Sequence, residues 1–585
     1  MPTPSAPWSR RQFLLSAAAA GVSGWLLASR LAAAGPWGGW DEPADLLIVG
    51  GSLGGVAATL AACRRGCRVI LTEETAWIGG QATTQAVPLD EHPWVETYGC
   101  TRSYRRFRQA VRDYYRRDYA LSDEARRDPR LNPGAGWVSA LCFEPRAGLA
   151  VLLESLAPYL SSGQLRLMTG HRPVAVETAG DRIAAVTVED AAGQRRTLSA
   201  PYVLDATELG ELLELGAVER VVGAEARAET GEPNALEGPA DPTDQMAFTH
   251  VFALDHRPGE HHVIERPASY ARWAAERDGK GKPKLEIPDL FGATKTYFGR
   301  PQTPNAYHTS VWNFRRLLCR DNFAPGTYPS DVTVAVWPQN EFHGGGLLGV
   351  PADLRRQRMR EARELSLSVI YWLQTAGGLP GLRPRGDFLG TDDGLAQYPY
   401  IRESVRLRAE FTVLEQHFRA DLPATRSGPM KYSDSVGVSG YRIDIHKPAR
   451  GKAASMTEAN HGLHWCQQIP LGALIPVRVE NLLAAGKNLG VTAVTNGAFR
   501  VHPTEWNIGE AAGALAAFCV RQQVSPRAVR HQPNRLADFQ RELVSDGFDL
   551  DWPSPRTARS YYSHHELELK DADRFYFGEA SRLPA

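Results

Sequence analysis

Apolar residues near the start of the chain follow the pattern of two buried parallel strands joined by a helix. Residues 45–49, apolar after Asp45, predict the first strand, and small and apolar residues over 56–62 predict a closely packed helix. Residues 68–72, largely apolar after Arg68, predict the next strand, and Glu73 follows them directly. The pattern therefore predicts a βαβ unit of about 30 residues that ends in an acidic residue.

The turn between the first strand and the helix is rich in glycine. It consists of Gly50, Gly51, Ser52, Leu53, Gly54 and Gly55, with Ser52 where the pattern G-x-G-x-x-G has its second glycine. Glycine permits a tight turn, and the helix N-terminus offers N–H groups and a positive dipole end to a pyrophosphate. Glu73 can accept hydrogen bonds from ribose hydroxyls and repels a 2′-phosphate. We expect a dinucleotide other than NADP to bind here; a structural βαβ unit without ligand is the alternative.

A second glycine pair and a meander pattern follow. Gly79 and Gly80, with Gln81 after them, suit a loop that wraps back over a larger nucleotide. Apolar and polar residues then alternate as in three antiparallel strands, over residues 174–178, 182–189 and 195–198.

Two segments later in the chain have the composition of a returning strand and a closing helix. Residues 202–210 predict a strand that ends in a turn of small residues, Asp205-Ala206-Thr207. Residues 480–488 predict a last strand, and residues 505–513 open a helix that is rich in glycine and alanine.

Together these segments resemble the FAD-dependent oxidoreductase family of the glutathione-reductase-like two-dinucleotide-binding superfamily. Residues 399–404 and 434–438 are also typical of that family. The resemblance implies FAD as the cofactor and an α/β fold. That fold is a discontinuous Rossmann-like FAD-binding domain, with a parallel sheet plus an antiparallel meander, and an inserted α+β substrate domain. Glycine is common in the superfamily where this chain has Glu208, and the substrate is not implied.

The resemblance also implies domain boundaries and cofactor contacts. The FAD-binding domain is expected over 42–215 and 471–525, the inserted substrate or cap domain over 216–470, and a C-terminal extension over 526–585. The late helix is expected to direct its N-terminus at the flavin ring, where a positive dipole end stabilises reduced flavin. The expected FAD contacts are Gly50, Gly51, Ser52, Leu53, Gly54, Gly55, Glu73, Glu74, Gly79, Gly80, Gln81, Val174, Asp205, Ala206, Thr207, Gly486, Asn488, Asn507, Ile508 and Gly509.

The first 34 residues have the order of an export signal. Residues 9–15, with the pair Arg10-Arg11, resemble a twin-arginine signal, an apolar stretch follows to about Leu31, and Ala32-Ala33-Ala34 supplies a cleavage site. We therefore expect the twin-arginine export machinery as a partner and a periplasmic or otherwise exported location. A disordered N-terminus with a chance arginine pair is the alternative.

Composition excludes several other classes of function. The chain has 585 residues, and its formal net charge is zero, so no global field favours nucleic acid. Its seven cysteines show no C-x-x-C spacing, and no zinc or other metal site is expected. Cys63 and Cys67 are interpreted as core residues around the first helix, with a redox dithiol as the alternative.

Three residues are candidates for catalysis. His502 precedes the predicted late helix and is the first candidate for the base that removes a proton as hydride leaves carbon; a structural histidine beside Pro503 is the alternative. His446 is the second, because alternation places it with Arg442 and Asp444 on one strand face. Arg402 could clamp a polar substrate, and a structural ion-pair network is the alternative.

Export and cofactor together predict the direction of the reaction. NAD(P)H is not expected in the periplasm, so we expect oxidation of a sugar, polyol or amine, with electrons passed to an unknown acceptor such as a quinone, a carrier protein or oxygen. A non-catalytic flavin- or partner-binding protein and an NAD(P)H-linked monooxygenase or reductase are the alternatives. The oligomeric state cannot be read from the sequence.

Overall fold

The strand–helix–strand pattern near the start of the chain forms as predicted. The computed structural model describes residues 44–277, 281–286, 290–291, 296–297, 300–301, 310–449 and 459–558. The first strand spans Leu46–Val49, the helix Leu53–Arg64 and the second strand Val69–Glu73. The predicted export signal and residues 559–585 of the predicted C-terminal extension lie outside the described residues.

Strands and helices alternate at first and then mix irregularly. The strands are β1 Leu46–Val49, β2 Val69–Glu73, β3 Leu165–Thr169, β4 His171–Ala179, β5 Arg182–Asp190, β6 Arg195–Leu198, β7 Tyr202–Asp205, β8 Arg220–Val221, β9 Phe248–Thr249, β10 Phe252–His256, β11 Thr296–Tyr297, β12 Arg300–Pro301, β13 Arg316–Leu318, β14 Val332–Ala335, β15 Glu341–Phe342, β16 Leu382–Pro384, β17 Arg406–Leu407, β18 Ser435–Ser439, β19 Gln467–Pro470 and β20 Leu482–Ala484. The helices are α1 Leu53–Arg64, α2 Arg102–Asp118, α3 Asp123–Arg127, α4 Pro145–Ser161, α5 Glu211–Leu215, α6 Arg227–Thr230, α7 Tyr270–Ala275, α8 Val311–Phe314, α9 Ala352–Gln374, α10 Gly386–Leu389, α11 Ala493–Phe499, α12 His502–Gln522, α13 Pro526–His531 and α14 Pro533–Asp546.

The main sheet joins strands from both ends of the chain. Its order is β20-β7-β1-β2-β3, and all neighbouring strands are parallel. Leu46 of β1 lies opposite Tyr202 of β7, and Leu482 of β20 lies opposite Val203. The carboxyl ends of β1, β2, β7 and β20 therefore meet at one edge, which is where ligands bind in open α/β sheets.

Helices α1 and α12 pack so closely at two positions that not even an alanine side chain fits between them. A Cβ atom added to Gly509 would lie 2.0 Å from the carbonyl oxygen of Gly54, and one added to Gly513 would lie 2.2 Å from that of Ala58. The helix predicted to open at residue 505 begins instead at His502. In this structure Gly509 supports helix packing, and His502 is the first residue of the helix rather than a residue before it.

The predicted meander forms, and the middle of the chain contains a second sheet. Strands β4, β5 and β6 pair antiparallel in that order. In the middle of the chain, β13-β14-β10-β16 form an antiparallel sheet. The C-terminal half of α9 buries an apolar face that includes Leu365, Val369, Ile370 and Leu373.

The strand predicted around Arg442 and His446 does not form a hydrogen-bonded ladder. The backbone N–H of Ile445 donates to Asn460 Oδ1 at 2.6 Å, and the Ile445 carbonyl accepts from Asn460 Nδ2 at 2.7 Å. The side-chain amide of Asn460 thus makes the hydrogen bonds that a neighbouring strand would otherwise make. The alternation itself is correct, because Tyr441, Ile443 and Ile445 are buried between partly exposed polar residues.

The described residues form one compact unit. The boundaries expected at residues 215, 470 and 525 stay predictions. None of the helices in the described ranges is long and apolar enough to cross a membrane. All seven cysteines are buried, and burial raises the thiol pKa of Cys63 to about 12 and of Cys67 to about 11, as expected for core residues.

His464→Phe is expected to make the fold less sensitive to acid. His464 is buried beside Phe418, and burial lowers its pKa to about 3, below the value of about 6.5 in an unfolded chain. Below pH 6.5 the unfolded state therefore binds a proton that the folded state does not, so this stability is present above pH 6.5 and is lost as the pH falls toward 3.

Urea unfolding at several pH values measures this effect. Between about pH 4 and pH 6, the slope of unfolding free energy against pH should be smaller in His464→Phe by about 1.4 kcal/mol per pH unit. Equal slopes in the two proteins would contradict the assignment.

Candidate functional site

The glycine turn after β1 is enclosed by backbone from distant parts of the chain. Gly50 has a φ of +102°, and a Cβ atom there would lie 2.3 Å from the Ala206 carbonyl oxygen. A Cβ on Gly54 would lie 2.0 Å from the Ala485 carbonyl oxygen, and one on Gly55 would lie 2.0 Å from that of Gly50. The turn therefore needs glycine where the ends of β1, β7 and β20 meet.

Ser52, the departure from the glycine pattern, caps α1. Its Oγ accepts a hydrogen bond from the backbone N–H of Gly55 at 3.2 Å. The N–H groups of Leu53 and Gly54 lie in the first helical turn and have no carbonyl acceptor within the helix. These two donors and the positive end of the helix dipole suit a pyrophosphate.

Glu73, at the end of β2, is held against the turn. Its Oε2 accepts from the Gly51 N–H at 2.8 Å, and its Oε1 accepts from the backbone N–H and the hydroxyl of Thr75 at 2.8 and 2.7 Å. Burial raises the pKa of Glu73, and burial with the charges of Glu211 and Glu73 raises that of Glu74 well above its usual range. Two carboxyl groups thus lie where ribose hydroxyls are expected.

Val174 lies on the strand that leaves this corner of the site. The Gly170 N–H donates to the Thr75 carbonyl at 2.9 Å, which places the start of β4 beside the residues that follow β2. The pairing of β4 with β5 shifts register between Pro173 and Ala175, where Val174 is partly exposed.

The second glycine pair connects the turn to α12. The Gly79 N–H donates to the Gly51 carbonyl at 2.6 Å, and both Gly79 and Gly80 have positive φ. Gln81 Nε2 donates to the carbonyl of Arg500 at 2.9 Å and to the carboxylate of Glu505. The loop therefore joins the nucleotide turn to the first residues of the late helix.

Polar atoms without partners collect at the end of β7 and β20. Thr207 donates its N–H and its hydroxyl to Asp205 Oδ1, at 3.0 and 2.6 Å, and Asn488 Nδ2 donates to the Asp205 carbonyl at 3.1 Å. Burial raises the pKa of Asp205 to about 7. Within the described residues, Asp205 Oδ2, Asn488 Oδ1 and Asn507 Oδ1 are buried without a hydrogen-bond partner.

These residues fit FAD. One edge of the sheet is surrounded by glycine backbone that leaves no room for side chains, by free N–H groups at a helix start and by buried oxygens without partners. A bound dinucleotide would satisfy these donors and acceptors. Three expected contacts are less direct. Gly509 faces Gly54, Ile508 is buried within α12, and at Gly486 an added Cβ would find its nearest atoms at 3.9 Å, so that position is open.

Glu208, where the superfamily has glycine, is paired with a lysine that the sequence did not single out. Lys487 Nζ donates to Glu208 Oε2 and lies 3.8 Å from Glu505 Oε2. Burial lowers the pKa of Lys487, but the charges of Glu208 and Glu505 offset this and leave it raised. Glu208 lies against Gly80, where an added Cβ would be 2.5 Å from its Oε1. The extra carboxylate in the cofactor site is therefore compensated within the chain.

Lys487→Met is expected to destabilise the protein by about 3–5 kcal/mol, because it leaves two buried carboxylates without their cation. Adding Glu208→Gln should recover at least about 1 kcal/mol of that loss, because the two residues interact directly. Urea unfolding of the two single variants and the double variant measures the coupling. Losses that simply add would contradict the pairing.

A second polar group lies beyond Arg500. Arg402 is buried and donates to the Ala247 carbonyl at 2.6 Å and to Thr249 Oγ1 at 3.0 Å. Its Nη2 lies 3.2 Å from Glu341 Oε1, while Arg406 pairs instead with Glu225 at 2.9 Å. Arg402 and Arg406 therefore serve different partners.

Glu341 also binds His446. His446 Nδ1 lies 2.6 Å from Glu341 Oε1, and its Nε2 lies 3.6 Å from Asp444 Oδ2, beyond hydrogen-bond distance. The ring therefore donates from Nδ1 and keeps Nε2 available. Against the effect of burial, the proximity of His446 and Arg402 holds the pKa of Glu341 below its usual range.

Arg500 links this group to the cofactor side. Its guanidinium donates to the Tyr400 hydroxyl at 2.8 Å and to Asp444 Oδ2 at 3.1 Å, while its carbonyl accepts from Gln81. Glu341, Tyr400 and Arg500 were not among the sequence candidates. Arg500 could have been found from its position two residues before His502, but Glu341 carries no local signal.

His502 is held in a neutral state. Its Nδ1 accepts a hydrogen bond from the Asp90 N–H at 3.0 Å, and burial lowers its pKa to about 4. Glu91, which follows Asp90, accepts hydrogen bonds from the Tyr104 hydroxyl at 2.7 Å, from Arg108 Nε at 2.9 Å and from the Ser139 hydroxyl at 2.9 Å. These bonds anchor the loop that holds His502. Because Nδ1 is an acceptor, the proton of the neutral ring is on Nε2.

Comparison with known proteins gives one strong match and several weak ones. The family model described as FAD dependent oxidoreductase matches residues 45–543. Among solved structures, the myxobacterial chondrochloren halogenase CndH has 12% identity over 92% of this chain and 90% of its own, with a TM-score of 0.30. The OxyS anhydrotetracycline hydroxylase from Streptomyces rimosus has 12% identity over 92% and 72%, with a TM-score of 0.30.

A glycerol-3-phosphate dehydrogenase from Bacillus halodurans complexed with FAD has 12% identity over 37% of this chain, with a TM-score of 0.21. The match spans only 40% of that dehydrogenase's length. These TM-scores are too low for the structural likeness to carry an argument. No curated protein sequence matches the chain.

Proposed function

The chain belongs to the FAD-dependent oxidoreductase family, and we propose that it oxidises an organic small molecule of the sugar, polyol or amine type. The proposal places the family in the glutathione-reductase-like superfamily. One observation carries it: Gln81, in the loop that covers the cofactor turn, is hydrogen-bonded to Arg500, whose guanidinium belongs to the polar group around Glu341 and Asp444. Cofactor residues and reactive side chains thus share one site.

The protein's part in such a reaction is to bind, orient and move a proton. FAD, held by the glycine turn after β1 and by Glu73, would supply the acceptor for the hydride that leaves the substrate carbon. The O–H or N–H proton on the same substrate must go to a base, and His446 is suited to this because Glu341 holds Nδ1 while Nε2 is available. Glu341 then stabilises the imidazolium, as the carboxylate of a catalytic triad does.

The geometry changes the role that we propose for His502. Its Nδ1 lone pair is used by the Asp90 N–H, so Nε2–H is a hydrogen-bond donor rather than a base. We propose that it donates to an acceptor atom of the bound substrate. Arg402 contributes charge and positioning from the other side of the group.

His502→Asn is expected to slow flavin reduction about tenfold or more without loss of FAD, because Asn keeps an acceptor for Asp90 but has no donor at the Nε2 position. Anaerobic stopped-flow reduction measures the rate. Burial lowers the pKa of His502 to about 4, so protonation of His502 should not change the rate of flavin reduction between about pH 5.5 and 8. A rate equal to that of the wild-type protein would remove His502 from the mechanism.

We also propose export. The support is the order of a twin-arginine pair, an apolar stretch and a small-residue site over residues 1–34. Fractionation of cells that produce the full chain should find it outside the cytoplasm, and the double substitution Arg10→Lys and Arg11→Lys should retain it inside. Equal fractionation of both proteins would contradict export.

Anaerobic bleaching of the bound flavin tests the proposed oxidation. A panel of sugars, polyols and amines should include compounds that reduce the flavin, while NADH and NADPH should not. Reduction by NADH alone would favour a monooxygenase or reductase. An oxidised flavin that nothing in the panel reduces would favour a non-catalytic flavin-binding protein.

A further inference from the structure

Positive charge exceeds negative charge in the polar group beside the cofactor site. Three guanidinium groups, those of Arg402, Arg442 and Arg500, share two carboxylates. Arg402 lies 3.2 Å from Glu341, while Arg442 and Arg500 lie 3.2 and 3.1 Å from Asp444. We call these five residues the arginine cluster. Among these five side chains alone, three positive charges stand against two negative ones.

Further cations surround the arginine cluster. Lys284 Nζ donates to the Glu341 carbonyl at 2.9 Å, so its ammonium lies beside the same residue. Burial lowers the pKa of Arg402, and the positive charges of Arg500 and Arg315 act in the same direction. Arg315 is itself balanced by Asp90 at 3.6 Å. The carboxylates of Glu341 and Glu276 are the negative charges that reach Lys284.

Two donors of the cluster are buried without a partner. Arg402 Nε and Arg500 Nε are inaccessible to solvent and make no hydrogen bond within the described residues. The two side chains are only 1% and 2% exposed. A buried guanidinium N–H without an acceptor is costly, and an anion is the ligand that would satisfy it.

From this geometry we infer that the arginine cluster binds a carboxylate group of the substrate. A guanidinium presents planar pairs of donors that match a carboxylate, and burial strengthens such a charge-assisted bond. The backbone carbonyl of Arg500 accepts from Gln81, so its guanidinium belongs to a residue that also contacts the loop over the cofactor turn. The substrate is then an acid-bearing member of the proposed classes, such as a sugar acid or a hydroxy acid.

The inference rests on the proposed function for its meaning but has its own test. Malonate and benzoate, with malonamide and benzamide as matched neutral compounds, are titrated into the full-length holoprotein. Calorimetry and the perturbed visible spectrum of the flavin report binding. We expect both acids to bind about tenfold or more tightly than their amides. Equal affinities, or tighter binding of inorganic phosphate than of malonate, would overturn the inference.

Variants locate the bound acid. Arg402→Gln and Arg500→Gln should each weaken malonate binding about tenfold or more, with unchanged FAD content. Arg442→Gln, at a less buried position, provides the same test if the first two proteins do not fold. Arg383→Gln, which loses a guanidinium paired with Asp255 at 2.8 Å in the other sheet, is the matched control and should bind malonate normally. Binding that none of the cluster variants weakens would overturn the assignment.

Paired substrates separate this inference from the proposed function. Gluconate is compared with glucose and glycerate with glycerol for anaerobic bleaching of the flavin. Bleaching by the acids alone supports both proposals. Bleaching by the neutral compounds alone overturns the inference and leaves the proposed oxidation standing. Selective binding of acids without any bleaching supports the carboxylate site and contradicts the oxidation.

Discussion

Gly50→Ala is expected to yield a protein that no longer retains FAD. The new methyl group would lie 2.3 Å from the Ala206 carbonyl oxygen, and φ at this residue is +102°. Strain in the left-handed region costs about 1–3 kcal/mol, and overpacking costs about 1–3 kcal/mol more. Because Gly50 and Ala206 belong to two turns of the cofactor site, relief of the collision moves the residues that hold the dinucleotide. Flavin absorbance per chain after incubation with FAD measures the loss.

Gly66→Ala is the matched control for Gly50→Ala. Gly66 also has a positive φ, +88°, but no atom lies within 4 Å of the added Cβ. It should therefore suffer only the backbone strain, about 1–3 kcal/mol, and keep its flavin. If Gly50→Ala retains FAD as well as Gly66→Ala does, the turn does not form the cofactor site.

His446→Asn is expected to slow flavin reduction by about 10²-fold or more while FAD remains bound. Asparagine can keep a hydrogen bond to Glu341 in the place of Nδ1, but it offers no proton acceptor in the place of Nε2. The loss should therefore appear in the rate of reduction at saturating substrate rather than in folding. Anaerobic stopped-flow measurements with a compound that bleaches the wild-type flavin give this rate.

A second histidine–glutamate pair supplies the control. His262 Nε2 lies 2.6 Å from Glu260 Oε2, the same separation as in the His446–Glu341 pair, but on a partly exposed surface. His262→Asn should reduce its flavin at the wild-type rate. A His446→Asn protein that is as fast as His262→Asn would show that another group accepts the proton.

The nucleotide half of the site could be predicted because its signals are local. A strand, a glycine turn, a helix and an acidic residue follow each other within residues 45–73, and each step has a backbone reason that sequence displays directly. Ser52 departs from the glycine pattern for a local reason, because its side chain caps α1 by accepting from the Gly55 N–H. The start of α12 was placed three residues late, although Pro503 in its first turn is a recognised signal of a helix start.

The reactive half could be predicted only in part because it depends on tertiary contacts. Glu341 meets Arg402 and His446 from 61 and 105 residues away, and no periodicity links such positions. The alternation of Arg442, Asp444 and His446 was correct, but Asn460 rather than a strand supports that segment. Lys487 lay inside a predicted segment, and its pairing with Glu208 appears only when β20 is placed beside β7.

Native mass spectrometry of the purified chain after incubation with flavins tests the central claim most directly. The account predicts one FAD per chain in the wild-type and Gly66→Ala proteins and none in Gly50→Ala, because the adenine half is held by the turn after β1 and by Glu73. Binding of FMN in place of FAD, or a wild-type chain without flavin, would contradict it.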